Sequence, residues 1–303
     1  MTLEEGIIRL IEQKGPLTGH EITNALNADD LILWRICKSS NTLAIRTVGT
    51  RYLRLDRRIK DFGRISPSIL REFLTYSVVG LSWDLSSLNQ RATRIDAHIR
   101  EVSKSKSDLA YNIISALANR FEQEIPIKDQ VCFILAGDIV YNMAHDVPRP
   151  ERSTGKLVKG SDLDLVVVVG DLLDKRAVKR LDEAIYREKY RLLITPHLRE
   201  EIDYVVKDLK KVREQVLFDS YRHMVACKIL WEGTLLHGSE EIFYRVKSLL
   251  REHGIFEKLT AMENRANRFR MKSIEVLLHK DTDAIRDGNL DLFYPTEESE
   301  EFE

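Results

Sequence analysis

The chain has 303 residues, 43% apolar and 31% charged, with a formal net charge of −1. That length allows two or three domains, and the near-neutral balance excludes a whole-molecule polyanion binder while leaving room for a local basic face. Cys37, Cys132 and Cys227 are isolated and odd in number, which excludes a disulfide scaffold or zinc knuckle and points to a reducing compartment. No stretch is long and apolar enough to span a bilayer, and no basic segment followed by an apolar run opens the chain. The expectation is a cytoplasmic protein without a membrane partner, a nuclear location being left open.

Residues 1–60 read as a small helical unit ending in a hairpin. Leu3, Ile7, Leu10 and Ile11 form an apolar stripe on a first helix, which Gly15-Pro16 stops. Thr18 and Glu21 have capping-box spacing and open a second helix. Asp29 or Asp30 caps a third, through Leu31, Leu33, Trp34 and Ile36. Residues 43–48 and 51–55 are candidate strands joined through Gly49-Thr50. Arg35, Lys38, Arg46, Arg51, Arg54, Arg57, Arg58 and Lys60 make the second half basic; Glu4, Glu5, Glu12, Glu21, Asp29 and Asp30 make the first half acidic. This order of elements resembles a winged helix over residues 1–58. The resemblance implies nucleic-acid contact through the third helix and the hairpin, or protein docking. Trp34 is expected in the core.

Residues 61–108 read as a helical connector. Ser66 is placed as a cap with Pro67 in the first turn of a helix carrying Ile69, Leu70, Phe73 and Leu74. Ser87 opens another helix towards Val102, and a separate one covers Leu109 to Phe121. The charges at Arg91, Arg94, Arg100, Lys104 and Lys106 are read as a solvated face.

Residues 109–206 carry the chemistry. Residues 131–136 make an apolar central strand, Gly137-Asp138 turns out of it, and residues 139–145 form a short helix. Residues 146–159, with Pro148, Arg149, Pro150, Arg152, Lys156 and Lys159, are expected to break regular structure. Gly160-Ser161-Asp162-Leu163-Asp164 then leads into an unbroken run of Leu and Val. In a strand, positions i and i+2 share a face, so Asp162 and Asp164 stand together at its open end. Such carboxylates repel unless a cation lies between them, and hard oxygen ligands suit Mg²⁺ or Mn²⁺. A charged helix follows, with Leu173, Ala177, Leu181, Ala184 and Ile185 inward. A second strand holds Asp203 among Ile202, Tyr204 and Val205, where burial without a partner is costly; beside the first pair it completes a metal cluster.

Residues 207–280 are mainly helical, opened by Asp208 and interrupted by an extended piece, residues 233–238, after which Ser239 serves as a simple cap. A last helix covers Leu259 to His279. Residues 281–303 are acidic and expected to be disordered.

These residues resemble the nucleotidyltransferase superfamily related to DNA polymerase beta. Asp162 and Asp164 match its paired carboxylates, Asp203 its third, and residues 233–238 its glycine-flanked segment; the likeness covers about residues 110–255. Gly137-Asp138 departs from the family's glycine–serine turn, and the stretch from Gly137 to Asp162 is longer than usual. The fold class implied is α+β: a nucleotidyltransferase-like mixed sheet flanked by helices, with a winged-helix-like unit before it and a helical region after it.

The resemblance also implies a two-metal reaction. Asp162, Asp164 and Asp203 would hold Mg²⁺ or Mn²⁺, and a nucleoside monophosphate would pass from an NTP, ATP first, to a hydroxyl of RNA, protein or a small molecule. Gly137, Asp138, Ser161, Arg149, Arg152, Lys156, Lys159 and Lys228 are the candidate nucleotide-binding residues. A DNA-binding regulator that retains the fold as a nucleotide sensor, and a protein-interaction adaptor, are the alternatives.

Overall fold

The computed structural model describes residues 2–59, 61–151, 154–286 and 290–294. The protein is α+β, with sheets flanked by helices. It divides into two compact units, residues 1–98 with 262–303, and residues 99–261. Among the described residues, no helix is long and apolar enough to cross a membrane.

The first unit begins with α1 (Leu3–Lys14), β1 (Leu17–Thr18), α2 (Gly19–Leu26) and α3 (Asp30–Ser39). Thr18 and Glu21 form the expected capping box, each side chain bonding the other's backbone N–H. The expected hairpin is corrected. β2 (Leu43–Thr47) and β3 (Tyr52–Leu55) do not pair with each other. β3 pairs antiparallel with β4 (Gly63–Ser66), and β2 pairs with β5 (Ser77–Leu81), which also takes β1. The five apolar-rich residues of β5 are all buried, so this later strand out-competes the local partner.

Between them lies α4 (Ile69–Tyr76), capped by Ser68 rather than Ser66. Strands β4 and β5 therefore stand where an all-helical connector was expected. The acidic C-terminal stretch also differs. α11 (Thr282–Arg286) and a 3₁₀ turn at Leu290–Leu292 are ordered elements, and Phe293 is buried with its ring centroid 5.6 Å from that of Trp34. Phe293 and the buried Ile285 give an acidic segment enough apolar area to dock. Residues 287–289 and 295–303 lie outside the described residues.

The helices expected to be separate between Ser87 and Phe121 are one 38-residue helix, α5 (Leu85–Glu122). Nothing between them breaks a helix: the run Ser103-Lys104-Ser105-Lys106-Ser107 is polar but lacks Gly and Pro. Its centre is also held, because the Ser103 hydroxyl donates to the Ile99 carbonyl and accepts from the Ala144 N–H.

In the second unit a four-stranded mixed sheet has the order β10-β9-β6-β11. β6 (Val131–Leu135) is central and antiparallel to both β9 (Leu163–Val169) and β11 (Thr234–Gly238), while the edge strand β10 (Ile202–Asp208) runs parallel to β9. Leu163, Leu165, Val167 and Val169 share a core with Ile113, Ile114 and Leu117 of α5 and with Leu181 and Ile185 of α6 (Lys175–Ile194). Alternation then sends Asp162 and Asp164 to the opposite face. The remaining helices are α7 (Leu209–Gln215), α8 (Tyr221–Glu232), α9 (Glu240–Glu252) and α10 (Ile255–His279). Asp208 and Ser239 cap α7 and α9 as expected.

Candidate metal centre

The three aspartates meet because of register. β10 lies beside β9 with Asp203 paired to Asp164, and Asp162 stands two residues before Asp164 on the same face. One carboxylate oxygen from each of Asp162, Asp164 and Asp203 lies within 4.8 Å of the others. Asp162 and Asp164 are half-buried, whereas Asp203 is exposed on the edge strand. The burial argument made for Asp203 is thus corrected: its solvated position costs little, and proximity alone places it with the pair.

The donor set is oxygen only, without histidine or cysteine, and fits a hard divalent cation such as Mg²⁺ or Mn²⁺. Three close carboxylates also lower their mutual repulsion by sharing one.

The turn after β6 is pressed against this cluster. Ala136 N–H donates to the Asp164 carbonyl at 2.9 Å. Gly137 has φ +72°, and a Cβ added there would stand 1.9 Å from Asp164 Oδ2. Only glycine fits both the conformation and the space. The helix expected over residues 139–145 is a shorter 3₁₀ turn, Gly137–Tyr141, ended by Asn142 in the left-handed region.

Ser161, buried beside the cluster, donates its hydroxyl to Asp138 Oδ2 at 3.3 Å and accepts from the His145 N–H. A serine from the segment leading into β9 therefore reaches the turn that lacks its own. Gly160 makes this possible: its φ is +57°, and a Cβ would stand 1.9 Å from the His145 carbonyl oxygen.

The proline-bearing segment is corrected too. β7 (Pro148–Pro150) and β8 (Leu157–Lys159) form a small antiparallel ribbon. Pro148 and Pro150 tolerate it because each strand has only one partner. Arg149 is drawn inward, donating to the Gly160 carbonyl at 2.8 Å and pairing with Glu201 at 2.9 Å and Asp162 at 3.8 Å. Burial pushes the Glu201 carboxyl above its ordinary range; Arg149 pulls it down and the Asp162 charge adds to the rise. Lys156 and Lys159 are exposed, Lys159 Nζ donating to the His197 carbonyl. Arg152 lies outside the described residues.

Sequence reasoning missed several partners. Lys106, assigned to a solvated face, is buried; its Nζ pairs with Glu200 and donates to the Lys159 carbonyl. Helix α5 thereby grips both segments that lead into the aspartate strands. Lys228, expected to reach phosphate or to form a salt bridge, takes the salt bridge: it pairs with Glu232, one helical turn on, and its Nζ stands 5.3 Å from the centre of the Tyr141 ring. Glu232 also accepts from Tyr141 Oη at 2.7 Å and from the Gly137 N–H at 3.4 Å. The i,i+4 spacing of Lys228 and Glu232 was the one visible signal.

In the first unit, Arg35 of α3 donates to the carbonyls of Leu277 and Lys280 and to Thr282 Oγ1, and Arg51 pairs with Glu72. Arg35 is therefore turned towards the end of α10 rather than towards a groove. Arg57 and Arg58 are exposed; Lys60 lies outside the described residues.

No protein-family model matches the chain, and no curated protein matches it.

Proposed function

We propose that the chain is a divalent-metal-dependent nucleotidyltransferase, which moves a nucleoside monophosphate from an NTP to a hydroxyl of RNA, protein or a small molecule. The observation that carries the reading is the in-register meeting of Asp162, Asp164 and Asp203 beside the Gly137 turn. On this reading the β10-β9-β6-β11 sheet is a nucleotidyltransferase core, and α1 to α3 with the β1-β5-β2 sheet and the β3–β4 hairpin are a winged-helix-like unit, Arg57 and Arg58 after β3 contacting nucleic acid. ATP is the first nucleotide to try.

Mg²⁺ or Mn²⁺, when held by the three carboxylates, supplies charge neutralisation at the transferred phosphoryl group and acidifies the acceptor hydroxyl. Asp162 and Asp164 are the fixed ligands, one just before and one within the buried strand β9. Asp203, the exposed member, meets the acceptor and takes its proton. Arg149 screens Asp162 and Glu201 from each other. Lys156 and Lys159 are exposed on the ribbon, where Lys156 can meet phosphates directly and Lys159 on leaving the His197 carbonyl, with Ser161 steadying Asp138 behind them.

The test is incubation with each α-labelled NTP, Mg²⁺ or Mn²⁺, and pooled RNA and protein acceptors, beside the variant Asp162→Ala/Asp164→Ala. Label transfer that the double variant abolishes is expected and identifies the acceptor. A folded protein that transfers no label across the whole pool overturns the reading; retained nucleotide binding would then mark a sensor.

A further inference from the structure

The Gly137 turn is flanked by a small anion-binding arrangement whose occupant belongs to the chain. The buried Glu232 carboxylate receives a backbone N–H from Gly137, a hydroxyl from Tyr141 and the ammonium of Lys228. A backbone N–H, a hydroxyl and a lysine converging on one anion are donors of the kinds that proteins use for phosphate.

Glu232 is also held in place from behind. Lys247 Nζ donates to the carbonyls of Leu230, Trp231 and Gly233 at 2.6–2.7 Å, fixing the end of α8. Gly233 lies so close to β6 that a Cβ there would stand 2.4 Å from Ile134 Cγ2. The carboxylate is thus built into the turn that abuts Asp164.

We propose that Glu232 is an internal stand-in for a nucleotide phosphate, occupying the Gly137, Tyr141 and Lys228 donors and setting how tightly a triphosphate binds. The proposal rests on the nucleotidyltransferase reading for its ligand. Its physical basis is competition: Glu232 neutralises Lys228 and adds a negative charge where a polyphosphate must approach. Nucleotide binding then requires Lys228 to exchange Glu232 for phosphate. Glu232 acts through Lys228 and is a positioning residue that sets affinity, with no part in the bond-making step.

The experiment measures equilibrium binding of inorganic tripolyphosphate, and of ATP with Mg²⁺, to the full chain and to Glu232→Gln, Lys228→Met and the double variant. Glu232→Gln is expected to bind tripolyphosphate about tenfold more tightly, the scale of one charge-assisted contact. It should lower KM for ATP with kcat little changed. Lys228→Met should weaken binding, and the double variant should show no gain over it.

Equal or weaker binding by folded Glu232→Gln overturns the inference, as does a gain that survives in the double variant. If Glu232→Gln does not fold, the Gly137 amide resonance of the wild-type chain decides: movement on adding tripolyphosphate supports the exchange, and none overturns it. Label transfer by the wild type without tightening in Glu232→Gln would sink this inference alone. Tightening of tripolyphosphate with no label transfer would sustain the anion site and count against nucleotidyl transfer.

Discussion

Asp164 and Asp203 face each other across the parallel pair β9–β10, one residue directly opposite the other. A slip of one residue would turn Asp203 to the face packed on α6 and dissolve the cluster. Such a slip would also turn Ile202 out of the buried core that it shares with Ile185 of α6.

Asp203→Asn tests the cluster with little risk to folding. The residue is exposed on an edge strand, so unfolding free energy should stay within about 0.5 kcal/mol of wild type, or rise slightly as repulsion is relieved. Mn²⁺ binding, followed by electron paramagnetic resonance, should weaken at least tenfold, the scale of one lost ligand contact of about 1.4 kcal/mol. Unchanged Mn²⁺ affinity would remove Asp203 from the site.

Gly137→Ala places a methyl group where Asp164 Oδ2 now stands and asks an L-residue to keep φ +72°. The backbone cost alone is about 1–2 kcal/mol. Urea unfolding should register at least that, and the displaced carboxylate should lower Mn²⁺ affinity together with stability. Asp203→Asn is expected to lower affinity only, so the two variants separate geometry from charge.

Lys106 and Glu200 form a buried pair beneath the segments entering β9 and β10. Lys106→Met leaves Glu200 buried without its cation and should cost about 3–5 kcal/mol in urea unfolding followed by circular dichroism. Lys106→Met/Glu200→Leu should recover most of it. A double variant no better than the single one would show that the pair contributes through packing instead.

Glu72 gives the first unit an acid-sensitive element. Its burial raises the carboxyl pKa, but the hydrogen bond from Arg51 and the charge of Arg270 outweigh that, and the group is held below its ordinary range. A lowered folded pKa contributes stability above the unfolded value, about 4.3, and loses it as pH falls through the folded one. The difference in α4 amide protection between wild type and Glu72→Gln should therefore be largest near pH 7 and shrink towards pH 3. A gap that does not vary with pH would show that Glu72 is not ionised in the fold.

The sequence by itself determined what is local. Thr18 and Glu21 cap α2, Ser239 caps α9, and the i,i+2 spacing of Asp162 and Asp164 puts both on one strand face, because each depends on a few neighbouring residues. It also allowed Asp203 to be named, since a carboxylate in an apolar run stands out. Tertiary structure alone decided which strands pair and which charges are buried. β2 chose β5 over the nearer β3, and Lys106 met Glu200 from 94 positions away, through contacts that no window of sequence contains. Phe293 gave the same lesson: an acidic stretch reads as solvated until one aromatic ring finds Trp34. Glu232, too, became part of the site only when α8 ended against β6, where a glycine lets the two backbones approach.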